Sequence, residues 1–221
     1  MPDTIIYAEN SDGYINKSST LNYVTARDAT VGSGISSSAT RNAVGIQAHK
    51  YAARGGGSEW RVSRSFFMFD TSSFAAYADV TSVILSLRGY SNSSGDVIVA
   101  RGTQGVLLST ADFDAIHGWS GGGGDESGNV TFYSNQISTW NTSAYNDIPL
   151  NSTAISFINA GNNLEICVLN YDYDLLGVDP GSNTDTRNGL YYTDYTGTSY
   201  DPYITVTIPS ADNAIFFGTN F

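Results

Sequence analysis

Apolar residues along this chain recur mostly at every second position. Val83, Leu85 and Leu87 alternate with Ile84, Ser86 and Arg88, and Ile204, Val206 and Ile208 alternate with Thr205 and Thr207. Ile166 and Val168 flank Cys167, and Val97 and Val99 flank Ile98. A period of two is the signature of a strand with one face buried. Residues 66–69, Phe-Phe-Met-Phe, form an unbroken apolar run, which predicts a strand covered on both faces. Further strands are expected over 4–8, 23–27, 43–49, 130–133 and 190–195. Roughly ten short strands separated by turn signals predict a sandwich or barrel.

Helical pattern is sparse. Asn151, Ser152 or Thr153 is placed to cap a short helix running through Ile158 and ended by Gly161. Residues 110–116 predict one or two further turns with Thr110 as cap. The segments 32–42, 54–59, 121–129 and 179–189 are rich in Gly, Ser, Asn and Asp without periodicity, and read as loops. Strands on both sides of 121–129 are needed for one sandwich. The expectation is therefore a single domain over 1–209, followed by a separate tail over 210–221.

Composition narrows the function. Of 221 residues, 2 Lys and 8 Arg stand against 21 acidic residues, a net charge of -11. Phosphate backbones and anionic headgroups are bound by clustered cations, so neither nucleic acid nor membrane is the expected partner. No stretch approaches the roughly 18 apolar residues of a membrane span. The single Cys allows no intramolecular disulfide and no Cys-rich zinc site. The amino terminus, MPDTIIYAENSDG, has neither a basic segment nor an apolar stretch of signal-peptide type. Yet 23 Gly, 15 Tyr and very few Lys give the composition of an extracellular protein. A weakly charged β-protein made in a host cytoplasm and released by lysis fits both facts, which points to a virion as its location. Charge is also unevenly spread. Residues 1–101 hold 9 basic and 8 acidic residues, whereas 102–221 hold 1 basic and 13 acidic. The acidic half reads either as a solvated surface or as a patch facing a basic neighbour.

Several segments taken together resemble a known family. SRSFFMFDTSSF (63–74) is similar to a signature that places Arg64, Phe69, Asp70, Ser72 or Ser73, and Phe74. ADVTSVILSLRGY (78–90), WNTSAYNDIPLNSTAISFINAG (140–161) and SYDPYITVTIP (199–209) resemble the elements that follow it. The chain thus resembles jelly-roll domains of the DNRLRE type, akin to carbohydrate-binding modules. Similar domains recur in tailed-phage virion proteins, often with an amino-terminal strand ending in residues like SDGYI (11–15). The resemblance implies an all-β jelly-roll sandwich with one or two short helices, and it implies that Arg64 and Asp70 fix turns rather than perform chemistry.

Candidate chemistry is limited. GWSGG (118–122) fits the nucleophile-elbow pattern G-x-S-x-G around Ser120, but that elbow opens a helix, and Gly121–Gly124 follow here. Both histidines, His49 and His117, precede Ser120, which reverses the order of an α/β-hydrolase triad. Cys167 reads as a small buried residue. No pair of carboxylates is marked out for glycoside hydrolysis, so the expected function is non-enzymatic. Jelly-rolls of this type often clamp their terminal strands with calcium. The matching oxygen ligands here are Glu9, Asp12 and Asp201, and Asp172, Asp174 and Asp179 form a second acidic group. Tyr191, Tyr192, Tyr195 and Tyr200, with Trp119 and Trp140, offer rings for stacking on sugars. Ile215, Phe216, Phe217 and Phe221 in the tail form an apolar group suited to fold back on the domain or to dock on a neighbour. Two functions follow as expectations. One is an auxiliary capsid protein contacting the major capsid protein, with self-association open. The other is an adhesin or fibre module that binds host glycans.

Overall fold

The computed structural model describes residues 3–36, 40–53, 56–76, 80–120, 129–181 and 185–208. The tail over 210–221, with Ile215, Phe216, Phe217 and Phe221, lies outside the described residues, as does nearly all of the glycine-rich segment 121–129. The elements in chain order are β1 (Thr4–Tyr7), β2 (Gly13–Ser19), α1 (Tyr23–Arg27), β3 (Gly34–Ser36), β4 (Arg41–Ala52), β5 (Ser58–Phe69), β6 (Ser82–Asn92), β7 (Val97–Arg101), β8 (Tyr145–Pro149), α2 (Ser152–Asn159), β9 (Leu164–Asn170), β10 (Arg187–Tyr191) and β11 (Tyr203–Thr207). All pairings are antiparallel.

The result is the all-β sandwich that the period-two pattern predicts. One layer runs β1-β11-β6-β8. The other is built on β5, which pairs along one edge with β2 and, at its two ends, with β4 and β9. β3 extends that layer beyond β2, and β7 extends it beyond β9. The first and last strands lie side by side, with Thr4 opposite Val206 and Tyr7 opposite Tyr203. The two layers are continuous through β6. Its first half pairs with β11, and its last residues, Gly89 to Asn92, pair with β10.

Alternation along each strand fills the space between the layers. Val83, Leu85 and Leu87 of β6 and Ile204 and Val206 of β11 meet Phe67, Phe69, Val97, Val99, Ile166 and Val168 of the opposite layer. The unbroken run of β5 is explained by a second core on the far side of that layer. Phe66 joins Ile15, Val62, Cys167 and Leu169 there, under α1 and the segment carrying Leu108, Phe113 and Ile116. Each of these fully buried side chains is worth about 1.5–3 kcal/mol of transfer free energy.

Several local expectations are corrected. Residues 23–27 are a helix, not a strand: Asn22 accepts a hydrogen bond from the Thr25 backbone at 2.8 Å and starts a turn before any strand partner is available. Residues 130–133 form no strand: they pair with the sheet by an isolated bridge from Phe132 to Ala100, and Tyr133 and Val130 pack into the two cores. SDGYI opens β2 instead of ending β1, because Gly13 already pairs with Phe66. The strand expected at 190–195 lies earlier, at Arg187–Tyr191, and a turn follows. Ser109, not Thr110, caps the short turn at Thr110–Asp112, through a capping box with Asp112. Of the three residues placed to cap α2, Asn151 is the cap, accepting from the backbones of Thr153 and Ala154.

Candidate functional site

The rings proposed for sugar stacking separate into two groups. Tyr192 and Trp140 belong to the core: the Tyr192 hydroxyl meets Ser65 Oγ at 2.8 Å, and Trp140 Nε1 donates to the Gly189 carbonyl at 3.0 Å. Trp119 lies under the guanidinium groups of Arg27 and Arg64, at 4.6 and 4.2 Å. Tyr191, Tyr195 and Tyr200 instead converge at the surface, with ring centroids 4.7 to 5.1 Å apart.

Period-two geometry extends this trio into a continuous face. Once Leu85 and Leu87 point inward, Arg88 and Tyr90 of β6 must point outward. The same phase turns Tyr203 of β11 and Tyr145 of β8 out. Tyr90 lies 5.6 Å from Tyr191, Tyr145 lies 5.0 Å from Tyr203, and Tyr7 lies 6.0 Å from Tyr203. The Tyr145 hydroxyl donates to the carbonyls of Ser199 and Asp201, which ties the two ends of the face together. Two cations lie on the rings. Arg41 stacks over Tyr90 at 4.7 Å and reaches Tyr191 at 5.9 Å, and Arg88 lies over Tyr200 at 5.1 Å. Tyr90 and Arg41 are exposed, while the trio and Arg88 are half-buried with the Arg88 Nε–H covered, so the Arg41 guanidinium and the ring edges meet solvent while the sheet holds them in place. Of the six rings the sequence marks for stacking, only the trio lies on this face. Tyr90, Tyr203 and Arg88 continue the outward phase of strands the sequence predicts, whereas Arg41 and Tyr145 lie outside the predicted strands, and which strands are neighbours was not legible.

The calcium candidates do not form one set. Asp12 is buried, and its carboxylate accepts from the Thr193 backbone at 3.1 Å and the Thr193 hydroxyl at 2.7 Å. Burial, and then the nearby Asp194 and Asp201, push its pKa up to about 7. Asp201 is also raised, by burial and then by Asp194, and its Oδ1 has no hydrogen-bond partner. Glu9 lines a separate groove beside Val106, Leu107 and Leu108. Among the described residues no three His, Cys, Asp or Glu side chains converge in metal-binding geometry.

The second acidic group disperses. Asp174 binds Arg64, Asp172 accepts from the Asp96 backbone at 2.9 Å, and Asp179 accepts from Trp60 Nε1 at 3.0 Å. Each is a structural tie. Arg64 is buried in full, held by Asp174 at 2.7 and 2.8 Å and donating to the carbonyls of Phe113 and Arg27. It thus joins β5, α1, the 113 turn and the π-type turn at Tyr171–Leu175. Asp70 accepts from the Ser72 backbone and hydroxyl at the exit of β5. Both residues fix turns.

The remaining reactive types are occupied by structure. Cys167 is buried in the second core, and burial pushes its thiol pKa up against the opposing effect of nearby Arg64. His49 stacks on Tyr51 at 3.8 Å and approaches Asp185 at 3.3 Å, with burial lowering its pKa. His117 Nδ1 meets the Thr131 hydroxyl at 2.9 Å. Gly118 has φ +83°, and the Asn129 backbone occupies the place of a Cβ, so this glycine serves a turn that packs tightly rather than a strand-to-helix elbow. Among the described residues no helix is long and apolar enough to cross a membrane. A scan against models of known protein families and a search of curated proteins each find no match to this chain.

Proposed function

We propose that this chain is a structural component of a tailed-phage virion, an auxiliary capsid subunit that docks on the major capsid protein and displays its tyrosine–arginine face. The setting is supported by the resemblance of residues 63–74, 78–90, 140–161 and 199–209 to jelly-roll domains of virion proteins. The observation that carries a recognition role is the face itself. Tyr and Arg are enriched among the residues that anchor interfaces, because they bring large contact area and directed hydrogen bonds at low entropic cost. A sandwich with two packed cores holds such a face rigid, so little ordering cost remains to be met on binding.

Docking on the shell is assigned to the apolar tail, with Ile215, Phe216, Phe217 and Phe221 as the anchor. The acidic second half supplies register against basic capsid patches more than affinity. Removing residues 210–221 tests this directly. The shortened protein is expected to stay folded by circular dichroism and to fail to sediment with particles. Normal particle occupancy by the shortened protein contradicts the anchor, and unfolding places the tail in the domain's own core.

A second reading has its own support. Closely spaced tyrosines beside arginines form the surface chemistry of sugar recognition, with C–H faces packing on rings and hydroxyls meeting the donors. On that reading the same face makes the protein a glycan-binding adhesin or fibre module.

A further inference from the structure

Cations are scarce in this chain, and most described arginines are matched by a carboxylate. Arg27, Arg61, Arg64 and Arg187 each hold an acidic partner within 3.0 Å. Arg41, Arg88 and Arg101 make no ion pair with a described residue, and Arg101 lies instead over Phe157 at 4.2 Å. Among the described residues Arg41 makes one long hydrogen bond, 3.5 Å, to the Tyr191 hydroxyl, and the Arg88 Nε–H is buried without an acceptor. Arg41 and Arg88 lie over tyrosine rings of one face, 4.7 and 5.1 Å from the ring centroids. Three carboxylates border this side of the molecule: Asp147, which accepts from Ser86 at 2.7 Å, and Asp194 and Asp201, which adjoin Tyr195 and Tyr200 in sequence; none makes an ion pair with a described arginine.

We infer that the face formed by Tyr90, Tyr191, Tyr195 and Tyr200 with Arg41 and Arg88 binds an acidic polysaccharide, a chain of pyranose rings bearing carboxylates. The inference rests on the glycan reading of this face and adds the class of sugar. A guanidinium stacked on a ring keeps its in-plane N–H donors free, and a planar fork of donors matches a carboxylate. The rings below supply packing surface for the apolar faces of the sugars. Charge makes the choice specific. A protein of net charge -11 repels a polyanion at long range. Retention of one therefore requires local unpaired cations, and this face supplies two. A neutral sugar would leave both guanidinium groups without the acceptor they are set up to meet.

The test uses the full-length chain in native affinity electrophoresis, with polygalacturonate in the gel and, in parallel, its methyl ester, which removes the charge and keeps the rings. Polygalacturonate is expected to retard the protein, and the methyl ester to do so weakly. Arg41→Gln and Arg88→Gln are each expected to weaken retention by about tenfold, the loss of one charge-assisted contact. Arg41 is solvent-exposed, so its variant keeps the test valid if Arg88→Gln fails to fold. Equal retention by both polymers leaves the glycan reading standing and overturns the acidic preference. Binding of polygalacturonate that both arginine variants preserve overturns it as well. Equal retention by polyglutamate shows that the face reads carboxylates on any polymer and overturns the sugar assignment. Retention by neither polysaccharide overturns the inference together with the glycan reading.

Discussion

Arg64 stands in the middle of β5 with no exposed surface, and its guanidinium is closed by both oxygens of Asp174 and by two backbone carbonyls. Breaking such a pair strands a charge where water cannot reach it, which costs about 3–5 kcal/mol. Asp174→Ala is therefore expected to lower the unfolding free energy by that order, read as a fall in the urea midpoint. Asp12 is the converse case, a carboxyl that burial favours in its neutral form. Its pKa rises from 3.8 to about 7 on folding, so the folded state holds the proton more tightly. The stability this brings is present in full below pH 3.8 and is lost as pH rises towards about 7. Wild-type protein should thus lose unfolding free energy across this window, and Asp12→Asn should flatten that slope. An unchanged slope in the variant would assign the titration to other groups. Neither role was visible in the sequence. Asp174 reads there as one of three neighbouring acids, and only the fold shows that the three point to different partners.

Secondary structure was legible where length allowed a period to show. β6 and β11 repeat their apolar positions several times, and the sandwich follows from that repeat. The double burial of β5 could be read from its four consecutive apolar residues. α1 could not, because five residues span little more than one helical turn, and Tyr, Val and Thr favour strands. Its helical state depends on the side chain of Asn22 and on burial of Tyr23 and Ala26 in the second core. Asn22→Ala is expected to cost about 1 kcal/mol in unfolding free energy, the usual effect of losing an N-cap. A larger price is set by β5. Phe67 packs between the layers and stacks on Tyr192 at 5.8 Å, so Phe67→Ala should cost about 3–5 kcal/mol by leaving a cavity. Equal effects of the two substitutions in denaturant titrations would contradict this ranking.

On the scale of the molecule, a two-core sandwich paves one outer sheet face with tyrosine and arginine. The candidate site was half legible. The ring types were marked in the sequence, but their assembly depends on β10 pairing with both β4 and β6, which brings Arg41, Tyr90 and Tyr191 side by side from distant parts of the chain. Long-range pairing of this kind leaves no local periodic signal. The same topology explains why the acidic second half does not form a separate lobe: β8, β9, β10 and β11 are interleaved with strands of the nearly neutral first half. The central claim is that this chain is a resident of the virion shell. Its most direct test is quantitative mass spectrometry of purified particles of the phage proposed to encode it. The account predicts a copy number in a fixed, whole-number proportion to the major capsid protein, and absence of the chain from washed particles would contradict it.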